Sequence, residues 1–371
     1  MQKEPDTQPL SVLQVVRPAA GGIRQHVISL MGATDPARVT HSIAAPAAFL
    51  HDLPADIPAH TFPLEIAARF APVADMRAAW RLVTFARTAA VVHAHGLRAG
   101  WIASLAQSIR PFPVVLTAHN MAEGGLLARL AVRHIGQRAK AVVAVSQAVA
   151  DSLVALGVPP AKLRVIPNGV DGEAFALLPS QAAARQALGL AEDTFTVGCI
   201  ARLSPEKGVD VLVQAAAALP DVPMLIAGDG PQRDTLQAHL TPNVRLLGRI
   251  PDTRALLAAV NVLVVPSRME GQGIVALEAM AARVAVIASR VGGLAEMLTD
   301  GETALLVPAG DSAALALAVT RLRDDPALQV HLTVNAARLV RERYDLRRTV
   351  AAVVDVYAEL AAARRISLPP T

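Results

Sequence analysis

Short apolar, β-branched runs alternate with longer alanine- and leucine-rich stretches along this chain, and the alternation passes through both halves. In the first half the runs read "SVLQVV", "VTHSIAA", "AVVHAH", "PVVLTAH", "KAVVAV" and "KLRVIP". In the second they read "FTVGCIA", "PMLIAG", "NVRLLG", "VNVLVVP", "VAVIAS" and "TALLVP". A strand can be apolar without interruption only when both of its faces are covered, which points to parallel strands sandwiched between helices. Strand, helix, strand, helix is the pattern of a doubly wound sheet. Its appearance twice in 371 residues predicts an α/β chain of two Rossmann-like domains. That length also exceeds what one core usually covers, and no short repeat of the solenoid kind is present.

The division is expected after "VIPNGVDGEAF". Asn168-Gly169 is a turn signal, and "LLPSQ" adds proline and polar residues before the pattern restarts at "GLAEDTFTV". The expected organisation is a first domain over residues 1–176, a second over 177–345, and a C-terminal helix over 346–371 packing back toward the first. "DLRRTVAAVVDVYAELAAARR" has the helical spacing, and "ISLPPT" beyond it is expected to fray. Open α/β sheets bind ligands outside the carboxyl ends of their strands, so tandem domains predict a ligand in a cleft between them.

Composition narrows the class. Hydrophobic residues make up 53% and charged residues 18%, the balance of a well-buried globular chain. No apolar run approaches the roughly 18–20 residues of a membrane-spanning helix. The start, "MQKEPDTQPL", lacks the cationic and apolar regions of a signal peptide. The lone Cys199, inside "FTVGCIA", excludes an intramolecular disulfide and a thiolate metal cluster and reads as an inert core residue. These features predict a cytoplasmic protein, with a peripheral place at the inner face of the membrane left open.

Charge is uneven. Residues 1–175 carry 16 Lys+Arg against 11 Asp+Glu, a net of +5, whereas residues 176–371 carry 19 against 20, a net of −1. A basic first half suits an acidic substrate or an anionic membrane surface, and it equally suits arginines that are merely solvated. Nucleic acid is disfavoured, because aromatics at 3% supply few stacking platforms and no Lys/Arg block marks a binding arm. Residues 124–140, "GGLLARLAVRHIGQRAK", form a basic amphipathic stretch that fits either an ordinary sheet-covering helix or one resting on an anionic bilayer.

Three pieces of the second half carry chemistry. "CIARLSPEKGVDVL" reads as strand, loop and helix, with Arg202 and Lys207 five residues apart across a Ser-Pro turn. A planar fork and a point charge could converge on one diphosphate, or could sit in a solvated loop with Lys207 paired to Glu206. "MLIAGDGPQRDTL" is a strand, then Gly228, Asp229, Gly230 and Pro231, then a helix in which Pro231 suits the first position. "VPSRMEGQGIVALEAMA" places Glu270 in a loop before a helix that starts near Gly273 and Ile274, with Glu278 about a turn and a half inside it. The free N–H groups of such a start favour a phosphate. A carboxylate accepting two hydroxyl hydrogen bonds is what a ribose or hexose requires. The same letters contain G-x-G-x-x-A, the fingerprint of a nicotinamide enzyme. Here the loop is too long for that tight turn, and the next strand ends at Arg290 where the fingerprint expects an acid. Only an NADP-selective version of that reading survives.

Taken in order and spacing, "ARLSPEKG", "AGDGP", "VPSRMEGQGIVALEAMA" and "VGGLAEML" resemble the donor half of glycosyltransferase family 4. The first half agrees: "AAGGIRQHVISL" resembles the family's Gly-Gly-x-x-x-His opening, and "LTAHNM", "AVSQAVAD" and "VIPNGVD" stand where expected. The resemblance covers about residues 11–345. It implies a retaining enzyme of GT-B fold, with the E-x7-E signature at Glu270 and Glu278, that transfers a sugar from a nucleoside-diphosphate sugar to an acceptor hydroxyl. A sugar-, lipid- or phosphate-bearing acceptor is implied, in glycolipid, polysaccharide or glycoconjugate synthesis.

The implied roles follow residue by residue. Arg202 and Lys207 hold the donor diphosphate, helped by backbone N–H groups near Gly273, Ile274 and Val275. Glu270 contacts the transferred sugar and Glu278 the ribose, while Gly228 and the turn at Gly248, Arg249 and Ile250 border the nucleotide. Gly21 and Gly22 let the first loop approach the phosphates and the acceptor. His119, at the carboxyl end of "PVVLTAH", faces the reacting sugar, with His26 and His95 nearer the acceptor. His93 reads as a packed sheet residue, and the remaining histidines as ordinary core or surface. Where the family most often carries Phe, this chain has Gln272, an amide able to read a sugar hydroxyl that a ring cannot. No Asp-x-Asp occurs, so no metal is expected to meet the leaving-group charge and no cofactor is expected. A nucleotide-sugar epimerase of the same fold, the NADP oxidoreductase and a non-catalytic sugar binder are the competing readings.

Overall fold

The computed structural model describes residues 8–18, 21–122 and 124–366. The signal-peptide reading of the first residues and the expected fraying beyond Ile366 lie outside the described residues. Among those described, two parallel sheets form. The first contains β1 (Leu10–Val16), β2 (Val39–Ala45), β3 (Ala59–Pro63), β4 (Val91–His95), β5 (Val114–Ala118), β6 (Ala141–Ala144) and β7 (Leu163–Val165). Its spatial order is β3-β2-β1-β4-β5-β6-β7. The second contains β8 (Val197–Ile200), β9 (Met224–Ala227), β10 (Val244–Gly248), β11 (Val262–Val265), β12 (Ala285–Ser289) and β13 (Leu305–Val307), in the order β10-β9-β8-β11-β12-β13. Both sheets reverse direction of growth once, between β1 and β4 and between β8 and β11. Crevices at the carboxyl ends of such switch points are where doubly wound sheets take ligands.

Twelve of these strands coincide with the apolar runs of the sequence. The exception is β3, "AHTFP", an edge strand with His60, Thr61 and Pro63 exposed. One covered face leaves no continuous apolar signature, so periodicity alone passes over it.

Alternation along each strand sorts side chains into two cores per sheet. In the first domain Leu13, Leu116 and Val142 meet the helices Pro72–Phe85, Leu97–Ile109, Leu126–Arg138 and Gln147–Ala155, whose Leu82, Ile102, Ile135 and Leu153 are buried. The opposite face is covered by helix Gly22–Gly32 and helix Leu346–Ile366, through Leu30, Val353 and Tyr357. In the second domain Ile226 and Val264 pack under Leu212 and Leu322, and Leu263 and Val286 under Leu257, Leu277 and Val340. Each such leucine, fully removed from water, contributes roughly 2 kcal/mol. Cys199 lies in this core, where burial pushes its thiol up to about 12 and leaves it unreactive.

The chain divides into a unit formed by residues up to Pro167 together with the helix that starts at Leu346, and a unit Asn168–Asp345. The division falls at Pro167/Asn168 rather than after Ala176, and the packing explains why. Phe175 is buried in the second core, Val170 donates to Tyr344 O at 2.9 Å, and Asn168 is held by Gln272.

Candidate functional site

In the second domain the switch point sets β8 directly beside β11, so the loops that follow them are neighbours. The first carries Arg202 and Lys207, the second Glu270. Lys207 Nζ lies 2.7 Å from Glu270 Oε2, and the Ser267 hydroxyl donates to the same oxygen at 3.1 Å. Of the two readings left open, the pairing of Lys207 with Glu206 does not form: Glu206 accepts from Ser204 Oγ at 2.7 Å, and Lys207 goes to Glu270. Burial raises the Glu206 carboxyl, but the Ser204 hydrogen bond, a backbone amide and the charges of Arg202 and Lys207 together hold it below the usual range. The charges of both cations thus bear on the Glu206 carboxyl.

The two loops are stitched together. Arg268 and Met269 donate their N–H groups to Glu206 O, and the Arg268 guanidinium grips Asp210 through two contacts of 2.7 and 2.6 Å. Gly208, between Lys207 and helix Val209–Ala216, has φ +62, and a Cβ there would stand 2.0 Å from Pro266 O. Only glycine permits that approach. Gly293 plays the same part further on, since its Cβ would stand 2.0 Å from Gly271 O; the quoted "VGGLAEML" contained it, but its spacing did not reveal the contact.

Helix Ile274–Ala281 begins at Gly273, and no side chain caps it. The N–H groups of Ile274 and Val275 thus open beside Glu270. Glu278 lies on the buried face of this helix, at 6% exposure. Burial raises its carboxyl to about 7, against a hydrogen bond with Thr253 and with a further push from Asp252. Its neighbours start helix Thr253–Ala259, just after Arg249 and Ile250. Gly228 donates to Gly248 O at 2.7 Å, and Asp229 faces both Arg233 and Arg249 at 3.8 Å, which brings the turns after β9 and β10 together. The helix after Pro231 starts at Arg233, so Pro231 sits in the preceding turn and not at its first position.

The Gln272 amide is engaged within the second domain. Its Oε1 accepts from Asn168 N and Nδ2, both at 2.7 Å, and its Nε2 donates to Asn168 O at 3.1 Å. The amide is 3% exposed and spent on the backbone of the "IPNGV" turn. It is a clamp within the domain, joining the loop before helix Ile274–Ala281 to the turn at Asn168.

In the first domain the switch point collects histidines. Gly21, with φ +67, starts helix Gly22–Gly32, which carries His26; His95 ends β4 and His119 follows β5. The three rings meet, with centroids 4.8 Å apart for His26 and His119, 5.5 Å for His26 and His95, and 5.7 Å for His95 and His119. His119 Nε2 is 3.4 Å from His95 Nδ1, and His95 Nε2 is 2.8 Å from Gln14 Oε1.

Behind them runs a polar ladder that the periodicity did not expose. His93 bonds Tyr357 Oη at 2.5 Å and Thr117 Oγ1 at 2.6 Å, and Gln14 Nε2 reaches His41 Nδ1 at 3.1 Å. His93 is packed within the sheet as expected, but with both ring nitrogens engaged. The one available signal was Gln14, a polar residue inside the apolar run "SVLQVV". Burial, reinforced by neighbouring histidines, holds His93, His95 and His119 well below their usual range, and burial takes His41 to about 4. All four rings are neutral at pH 7.

Comparison with known proteins gives the family. Residues 20–174 match the family described as Glycosyltransferase Family 4, and residues 194–325 match Glycosyl transferases group 1. A D-inositol 3-phosphate glycosyltransferase of Saccharomonospora viridis is 34% identical over 309 residues, 74% of this chain and 71% of that protein. This chain belongs to glycosyltransferase family 4. The lipopolysaccharide core biosynthesis mannosyltransferase LpcC of Rhizobium leguminosarum bv. viciae is 36% identical over 178 residues, 44% of this chain. The chain spans about half the length of LpcC (51%) and 66% of the D-inositol 3-phosphate glycosyltransferase of Streptomyces bingchenggensis. Among solved structures, Anabaena HepE in complex with UDP and glucose superposes with a TM-score of 0.85 at 24% identity, covering 94% of this chain and all of that one. The likeness establishes the GT-B fold of the family 4 chain.

Proposed function

We propose that this family 4 chain transfers a hexosyl group from a nucleoside-diphosphate sugar to an acceptor hydroxyl, with retention of configuration and without a metal. The observation that carries the reading is the junction of Lys207, Glu270 and the uncapped start of helix Ile274–Ala281, with Arg202 on the same loop as Lys207. A diphosphate set there would meet Lys207 and the free N–H groups of Ile274 and Val275, and Arg202 is assigned to it by the family resemblance. These donors stand ready for the charge that develops as the nucleoside diphosphate leaves, and each is worth on the order of 3 kcal/mol. Glu270 then takes hydroxyls of the transferred sugar, and Glu278 those of the ribose, near Arg249 and Ile250.

Retention is assigned to front-face attack. The bond from the anomeric carbon to the phosphate oxygen breaks and the bond to the acceptor oxygen forms on the same side, while the acceptor proton passes to the departing phosphate. His119 is the first-domain residue given to the reacting sugar; Gly21, Gly22, His26 and His95 serve the acceptor and phosphates. Relatives named as acting on inositol 3-phosphate and in lipopolysaccharide core biosynthesis favour a phosphate-bearing or lipid-linked acceptor. No helix among the described residues is long and apolar enough to cross a membrane. Helix Leu126–Arg138 covers the sheet through Val132 and Ile135, yet it leaves Leu126, Leu127 and Leu130 exposed beside Arg129 and Arg133. That combination supports peripheral contact with an anionic bilayer.

Thermal-shift screening against nucleotide sugars, followed by product analysis with a phosphorylated or lipid-linked acceptor, tests the reading. Stabilisation by one donor and anomeric retention in the product are expected. Indifference to every nucleotide sugar, or a covalent sugar adduct on Glu270, would contradict it.

A further inference from the structure

We propose that His26, His95 and His119 bind a borderline divalent transition ion of the zinc type, and that such an ion withdraws the cluster from sugar chemistry. One ligand atom from each imidazole lies within 4.8 Å of the others, and all three rings are buried. Ligands about 2.0–2.1 Å from one zinc ion at the tetrahedral angle stand roughly 3.4 Å apart. His95 Nδ1 and His119 Nε2 already stand at 3.4 Å, long for a hydrogen bond and apt for two corners of a tetrahedron. Bringing all three nitrogens to that distance asks each ring to move by on the order of half an ångström.

The proton arrangement is also in place. Gln14 turns its Nε2 toward His41 and Tyr357, so its Oε1 accepts from His95 Nε2. The proton on His95 thereby resides on Nε2, and the Nδ1 lone pair points at His119. A ligating imidazole whose other N–H is held by a carbonyl oxygen is the usual support of a metal site. Neutral rings need not release a proton to ligate. The cluster contains three nitrogens and no carboxylate, which favours zinc, cobalt, nickel or copper over magnesium or calcium. Arg17 bears on His119 as well, and its charge opposes a dication. His26 and His119 keep slight exposure, 7% and 8% against 0% for His95, so a fourth, water ligand would enter from their side. Ion binding stands independently of the transfer reading; its consequence for activity rests on that reading.

The metal-free full chain is titrated with Co2+ and followed by visible absorption. One equivalent should produce the intense bands of a tetrahedral site, and Zn2+ but not Mg2+ should abolish them. His26→Gln and His119→Gln should lose the bands, while His331→Gln, an exposed residue of the other domain, should keep them. As a check free of substitutions, spectra of nitrogen-labelled histidine in the unsubstituted chain should show the rings of His26, His95 and His119 moving together with one equivalent of Zn2+. Zinc should then suppress transfer where magnesium leaves it unchanged. Absence of binding, bands that persist in both cluster variants, or movement of other histidines instead would overturn the proposal.

Discussion

Gln272 and Glu278 are the two residues whose environment departs most from what their letters suggest. Gln272 makes three hydrogen bonds to Asn168, so Gln272→Ala strands a buried N–H and carbonyl. Its cost should be about 1–3 kcal/mol, seen as a lower urea midpoint, with an unaltered ranking of donors in a binding panel. A changed ranking at unchanged stability would return the amide to the sugar. Glu278 ionises at about 7 in the folded chain against 4.5 for the free group, because burial penalises its charge. Its contribution to stability is full below 4.5 and is lost as pH rises through 7, amounting to about 3 kcal/mol. Glu278→Gln should flatten that slope and make the second domain more stable than the parent at pH 8, while weakening donor binding. Equal slopes in parent and variant would show that the carboxyl titrates normally.

At the scale of elements, the loop after β8 and the loop after β11 hold each other, and glycine lets them. Gly208→Ala forces a Cβ against Pro266 O, which is backbone and cannot turn away. Nucleotide binding should be lost, with a lowered transition for the second domain; retention of both would mean the junction has slack. Most of this level was legible in the sequence. Parallel strands announce themselves as apolar runs, and the cations and glutamates stand at their carboxyl ends. Three features were not legible, each for a physical reason. Strand β3 has one exposed face and so no continuous apolar run. The partner of Lys207 lies 63 positions away, and only strand order makes Glu270 its neighbour. The ladder from Gln14 to Tyr357 joins residues 343 apart, which no periodicity can pair.

Across the whole molecule the two domains carry opposite responses to pH. His41, His93, His95 and His119 are held neutral, so their contribution to the first domain is present above 6.5 and is lost as pH falls below it. His41 alone, at about 4, accounts for on the order of 3 kcal/mol. Thermal scans should show the first domain's transition falling with acid and the second domain's falling with alkali; transitions moving in the same direction would refute the assignment of buried rings and buried carboxyl.

The central claim is that Arg202, Lys207 and the start of helix Ile274–Ala281 hold one diphosphate. Calorimetric titration of UDP and GDP into the full chain and into Arg202→Met and Lys207→Met tests it most directly. Each lost charge-assisted contact is worth about 1.5–3 kcal/mol, so each variant should bind the preferred diphosphate at least about tenfold more weakly. Affinity unchanged in both variants would contradict the account.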